Sequence, residues 1–291
     1  MNILKSRVVF YCISGIFVVA SATSLLTRGL NLGVDFKGDS RLEVSFADSI
    51  TRDTIVSSLA PLNLGDIQID EKSDHLFAIR TKYLTEEEHQ NVLTRLRDGR
   101  ALEEKSFLST GPSIGRQLRR NALIAIGVSL LAIIIYIAFV FRHVSRPVSS
   151  WIYGVIAIVA LIHDVTIPTG IFSYMGYEID AFFVSALLTV LGFSVHDTIV
   201  VFDRVREHLR KDAQSSFEEV VGRSLNETIV RSINTSLTTL FSLTAVYFFG
   251  GVSTQHLALA LMIGIVVGTY SSIFIASPLL VTYAKWRGNE R

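Results

Sequence analysis

A single cysteine in 291 residues, Cys12, excludes an internal disulfide, and the seven histidines fall in no Cys/His spacing that fits a metal site. Cys12 lies inside an apolar run, where a thiol serves as a small packing residue. Charge is also scarce. Asp, Glu, Lys and Arg make up 18% of the chain, against about 25% in an ordinary soluble domain. The net charge of +1 leaves no electrostatic footprint for nucleic acid. No glycine-rich loop ending in Lys-Ser or Lys-Thr is present, so an ATPase signature is missing. Nor is there a nucleophile, base and orienting group set out as a hydrolase needs them. The expectation is a protein that is not an enzyme and carries no cofactor or metal. What the chain has in their place is apolar length: 49% of its residues are hydrophobic, and they come in long runs.

About 20 apolar residues cross a bilayer. Six runs reach that length, at 8–26, 122–141, 148–172, 181–202, 228–249 and 257–284. The sequence therefore predicts a membrane α-helical protein divided into a first transmembrane helix (1–29), an extracytoplasmic domain (30–116) and a five-helix transmembrane bundle (117–291) with a cytoplasmic loop at 203–227. Orientation follows from the basic residues. Lys5 and Arg7, Arg142 and Arg146, the loop cations Arg204, Arg206, Arg210 and Lys211, and Lys285, Arg287 and Arg291 all fall on one side. The short loops at 173–180 and 250–256, on the other side, have no Lys or Arg. The positive-inside rule then places both termini in the cytoplasm and the domain outside. Arg116, Arg119 and Arg120 run against the rule, as long translocated segments are able to do.

The outward domain reads as small α+β. Residues 42–46 alternate as a strand, 51–62 read as a helix, and 66–69 and 75–81 as two strands joined by a polar turn. Thr85 and Glu88 form a capping box opening a helix to about Arg97, and 101–108 read as a last strand. The order βαββαβ is ferredoxin-like, which by itself implies no chemistry. Ser216 and Glu219 form a second capping box, at the head of the helix that leads into the fifth run.

The most informative residue is Asp197, inside the fourth run. An ionised carboxylate at mid-helix costs about 2.5–3.5 kcal/mol on insertion scales, so it needs a partner or a task. Depth counting sets Arg231, near the start of the fifth run, at a similar level. Asn234, Thr235, Thr238 and Ser242 follow Arg231 at helical spacing and continue a polar stripe outward. Such a stripe faces protein or water and is able to hold a water chain, so Asp197 and Arg231 mark an ion or proton pathway. The pair also has a structural reading, as a fixed ion pair or as two groups snorkelling to the surface. Asp164, in the third run beside His163, is a weaker candidate for the same pathway and equally a residue that only ties two helices together. His196 points about 100° away from Asp197 and is not expected to carry the proton. Gly264 and Gly268 form a GxxxG stripe for close helix packing in the last run.

Four segments together resemble the SecF family of accessory subunits of the bacterial Sec translocase, within the RND superfamily. They are GVDFKG at 33–38, GPSIGR at 111–116, GFSVHDTIVVFDRVRE at 192–207 and SLNETIVRSINTSLTT at 224–239. The third and fourth are the specific ones, and the likeness covers essentially the whole chain. It departs at one place. The family's first motif usually ends in two glycines, whereas Gly38 is followed by Asp39; if that position turns the chain, Asp tolerates left-handed backbone better than most residues. The resemblance implies an RND-type half of six transmembrane helices in the bacterial inner membrane, helping protein export at the expense of the proton gradient. In that family the residues matching Asp197 and Arg231 are implicated in proton conduction, Arg231 holding the carboxylate charged until the two separate. It also implies SecD as the second six-helix half, the SecYEG channel and unfolded preproteins as partners. Anionic lipid would meet the basic loops. Two rivals remain at this point: a proton-driven small-solute exporter of the same superfamily, and a scaffold that conducts nothing.

Overall fold

The computed structural model describes residues 3–73, 75–141, 148–212 and 214–288. Arg142, Arg146 and Arg291, used above for orientation, lie outside them. The chain forms two compact units, Leu32–Ile124 and the remainder.

The Leu32–Ile124 unit is built on a four-stranded antiparallel sheet. Its strands are β1 (Asp39–Phe46), β2 (Gln68–Ser73), β3 (Leu76–Lys82) and β4 (Leu102–Ser109), in the order β2-β3-β1-β4. β1 is central, pairing antiparallel with both β3 and β4. Alternation buries Leu42, Val44 and Phe46 of β1 with Phe77 and Ile79 of β3. They form one core with Ile55 and Leu59 of α3 (Arg52–Leu59) and Val92, Leu93 and Leu96 of α4 (Glu86–Arg97). α4 opens on a complete capping box, the Thr85 hydroxyl accepting from the Glu88 amide and the Glu88 carboxylate from the Thr85 amide at 2.9 Å.

The two glycine motifs meet inside this unit. α2 (Val34–Lys37) ends at Gly38, whose φ of 82° is left-handed. A Cβ on Gly38 would lie 2.5 Å from Pro112 Cα, and one on Gly115 would lie 2.9 Å from the Gly38 amide nitrogen. Backbone rests on backbone, so both positions need glycine. Asp39 does not carry the turn: it opens β1 opposite Lys82 in ordinary strand register. The left-handed residue is Gly38, and the departure at Asp39 leaves the turn intact.

The second unit contains α1 (Arg7–Arg28), the greater part of α5 (Pro112–Val140), α6 (Ser150–Met175), α7 (Ala181–Lys211), α8 (Phe217–Phe249), α9 (Val252–Ser271) and α10 (Ser277–Trp286). Among the described residues, five stretches are long and apolar enough to cross a membrane: Arg7–Arg28, Pro112–Val140, Trp151–Met175, Ala181–Lys211 and Thr254–Trp286. Six were expected. α8 has the length, but Arg231 and its many Ser and Thr residues keep it less apolar than the others. The last stretch is not one regular helix, since a π-helical turn at Ser272–Ala276 separates α9 from α10. Pro278, which has no amide hydrogen to give to the carbonyl four residues back, accompanies that turn.

Small residues set the close approaches. A Cβ on Gly268 would lie 3.0 Å from the Ser194 side chain, and one on Gly264 would overlap Val190, so the GxxxG stripe packs against α7 of the same chain. Gly170 of α6 likewise takes the side chain of Ser21 of α1.

Candidate functional site

Asp164 is fully enclosed in the helix bundle. Its carboxylate accepts three hydrogen bonds: from Ser194 of α7, from Ser271 of α9 at 2.7 Å, and from the neighbouring His163 Nδ1 at 2.8 Å. A buried carboxylate held by donors from three helices is well compensated for its lost hydration. Pro168, one turn later in α6, cannot donate to the Asp164 carbonyl, so the backbone is polar here as well. The hydroxyl network continues. Ser272, in the π-helical turn, donates to the Ser194 carbonyl at 3.3 Å and lies 2.9 Å from the Thr198 hydroxyl.

Asp197, one turn after Ser194 on α7, is also buried, at 4% exposure. One carboxylate oxygen accepts from Ser232 of α8 at 3.1 Å. The other is buried with no hydrogen-bond partner among the described residues. Asp164 is thus saturated and Asp197 is half-satisfied, which makes Asp197 the group with capacity left for a proton or a water.

Arg231 lies close enough for its charge to act on Asp197, but it does not form the close pair that the sequence suggested. It is exposed on α8, and no ion pair joins it to Asp197 within 4.0 Å among the described residues. Asn234, Thr235, Thr238 and Ser242 share its exposed face. Their hydroxyls fold back on the helix, Thr235 donating to the Arg231 carbonyl at 2.9 Å and Ser242 to that of Thr238 at 3.3 Å. The interior is faced by a different stripe, the buried residues Ser224, Thr228, Ser232 and Ser236. Ser236 reaches the Thr269 hydroxyl of α9 at 2.5 Å. The physical reason is the helical period: adjacent residues point about 100° apart, so Arg231 and Ser232 cannot share a face. α8 is polar on both sides, and sequence spacing alone does not say which side turns inward. The inner stripe was visible as an unbroken four-residue repeat of Ser and Thr.

At the end of α7, Arg204 pairs with Glu207 and, at 2.5 Å, with Glu227 of α8. Arg206 pairs with Asp203 at 2.5 Å and donates to the Val140 carbonyl at 3.1 Å. These partly exposed pairs fix the α5, α7 and α8 ends and add little energy.

Together, the long apolar helices and the enclosed carboxylate-hydroxyl network define a multi-pass membrane protein with titratable groups in its interior. Comparison with known proteins narrows this. The family "Protein export membrane protein SecD/SecF, C-terminal" matches residues 90–286, and the "SecD/SecF GG Motif" matches residues 23–49. A protein translocase subunit SecF from Thermobaculum terrenum is 42% identical, over 97% of this chain and 94% of the relative. One from Anaerolinea thermophila is 36% identical, over 99% and 96%. The crystal structure of SecDF from Thermus thermophilus, a translocon-associated membrane protein, matches 98% of the chain with a TM-score of 0.87 and 31% identity. The chain spans 39% of that SecDF chain. The chain belongs to the SecD/SecF family of protein export membrane proteins, with its near full-length relatives among the SecF subunits.

Proposed function

We propose that this chain is an accessory subunit of the Sec translocase that helps export proteins across the cytoplasmic membrane by coupling proton movement to that step. The observation that carries the reading is the pair of buried carboxylates, Asp164 and Asp197, joined to a hydroxyl-lined interior in a bundle of otherwise apolar helices. Intramembrane carboxylates are costly and mark ion or proton routes by default. In this reading Asp197 takes up and releases the proton, and the Ser232 and Ser236 hydroxyls with water extend the route along α8. Asp164 organises α6, α7 and α9 around it. Arg231 acts from the outer face of α8, not as a fixed partner of Asp197.

The finer architecture follows the same line. α8 counts as a sixth span, and both termini lie in the cytoplasm. The Leu32–Ile124 unit is ferredoxin-like, a reading supported by its element order and its β2-β3-β1-β4 antiparallel sheet, and it faces outward, in line with the distribution of Lys and Arg among the loops. A second six-helix half, SecD, completes the assembly. Support comes from the exposed face of α8: Arg231, Asn234, Thr235, Thr238 and Ser242 would be expensive against lipid and need a polar partner helix. SecYEG, preproteins and anionic lipid at the basic loops are the remaining partners.

The test is complementation of a bacterium lacking its own SecF. The chain should restore export of a slowly translocated secreted protein. Asp197→Asn should accumulate in the membrane to the same level and fail to restore it. Full restoration by Asp197→Asn would leave the chain a scaffold.

A further inference from the structure

The inner stripe of α8 does not stop at Asp197. Ser236, Ser232, Thr228 and Ser224 recur every fourth residue, all buried, on the α8 face that bears Asp197's hydrogen-bond donor. Successive hydroxyls are about 6 Å apart along the axis at 1.5 Å per residue. That is about twice a hydrogen-bond length, so one water between each pair of rungs would complete a continuous chain. Ser224, Thr228 and Ser236 each donate to the carbonyl four residues back, at 2.8, 2.8 and 2.9 Å, which leaves their oxygen lone pairs free to accept.

The ladder ends on a histidine. His208 of α7 is buried, and its Nδ1 lies 3.5 Å from the Ser224 hydroxyl. Its Nε2 lies 3.3 Å from the Glu227 carboxylate, which is exposed on its other side. One ring therefore faces the buried hydroxyl row with one nitrogen and an open carboxylate with the other. Glu227 is the charged group within ion-pair distance of His208 among the described residues. Arg204 shares that carboxylate and also holds Glu207, which in turn takes Lys211 at 2.6 Å.

We propose that His208, with Ser224 above it and Glu227 below, is the port through which the proton of Asp197 exchanges with the solvent at the α7–α8 end of the bundle. This rests on the proton-conducting reading and adds to it the residue where the route ends. Asp197 gives up its carboxyl proton. The hydroxyls of Ser232, Thr228 and Ser224, with intervening waters, each turn their hydrogen off the present acceptor, pass it on toward His208 and take one from the side of Asp197. His208 gains a hydrogen at Nδ1 and loses one from Nε2 to Glu227, which hands it to water. One proton has moved and every group regains its starting composition; the ring recovers its tautomer by exchange with water. Uptake is the reverse.

The experiment measures proton flux with a pH-sensitive dye in inverted membrane vesicles carrying the full-length chain in its native membrane. Four forms are compared: wild type, Asp197→Asn, His208→Ala and His208→Asn, each with and without added imidazole. Loss of a positioned proton-transfer group should lower flux by about 10²-fold in both His208 variants. Imidazole should restore much of the flux to His208→Ala, whose cavity admits it, and little to His208→Asn. It should restore none to Asp197→Asn. Wild-type flux in both His208 variants, with Asp197→Asn inactive, overturns the port and leaves the proposed function standing. Reduced flux in His208→Ala that imidazole does not restore, with an unchanged pH profile, makes His208 a packing residue and also overturns it. Wild-type flux in Asp197→Asn ends both readings together.

Discussion

Asp164 and Asp197 are chemically identical, similarly buried and one helix apart, yet their surroundings differ, and the roles proposed for them rest on that difference. Asp164 accepts from Ser194, Ser271 and His163; removing it strands the Ser194 hydroxyl and the His163 ring, while Ser271 keeps the Gly268 carbonyl at 3.0 Å. Each stranded group costs about 1–3 kcal/mol. Asp164→Ala should therefore destabilise the bundle by about 3–5 kcal/mol, seen as a large loss of thermal stability in detergent. Asp197→Asn keeps an amide oxygen to accept from Ser232, removes only the charge and the titratable proton, and should cost no more than about 0.5–1.5 kcal/mol. Equal losses from the two variants would show that the division between organiser and carrier is wrong. A second residue-scale contrast separates Gly38 from Asp39. Gly38→Ala meets both the left-handed backbone and the Pro112 contact, and should sharply reduce the protease resistance of the Leu32–Ile124 unit in the full-length chain. Asp39→Gly, which restores the double glycine of the relatives, should lower stability only by about 0.5–1 kcal/mol, because glycine inside a strand gives up more backbone freedom on folding. A gain in stability from Asp39→Gly would mean that the second glycine serves the turn after all.

At the scale of elements, what was legible in the sequence is what short-range physics decides. The alternation of β1 and the capping boxes at Thr85 and Ser216 all appear where the residue pattern puts them, because each depends on neighbours a few positions away. What sequence could not decide was the rotation of α8. Arg231 and Ser232 head two polar stripes of similar composition, and packing against α7 and α9 selects the one with Ser224, Thr228 and Ser232. The central place of Asp164 was hidden for the same reason. Its donors come from α7 and α9, far away in the chain; the local sign was Pro168 one turn on. The π-helical turn at Ser272–Ala276 had only Pro278 to announce it. Gly268 joins these observations, since its missing side chain lets α9 approach Ser194, the α7 donor to Asp164. Gly268→Leu should push α7 and α9 apart and cost at least about 1–3 kcal/mol. It should also abolish gradient-dependent export as fully as Asp197→Asn does. Stable protein with wild-type export from Gly268→Leu would detach the glycine stripe from the site.

For the whole molecule, the structure gives a helix bundle with a polar interior and a small sheet domain, and the membrane orientation proposed for them rests on where basic residues fall. The orientation is testable by labelling. Cys12, which is exposed, must first be replaced by serine. Asp48→Cys in the Leu32–Ile124 unit should then react with an impermeant thiol reagent added to intact spheroplasts. Gln214→Cys, between α7 and α8, should react only in inverted vesicles. Reaction of Gln214→Cys from outside would reverse the topology and with it the direction assigned to the proton.

The claim at the centre is that a proton moving through Asp197 drives the export step served by this chain. Its most direct measurement is the rate at which a translocation intermediate completes export in inverted vesicles, with ATP held constant and the proton gradient either intact or collapsed by an ionophore. Wild-type chain should complete export several-fold faster with the gradient than without it. Asp197→Asn should give one slow rate in both conditions, equal to wild type after collapse. A gradient-dependent rate in Asp197→Asn that matches wild type would contradict the account.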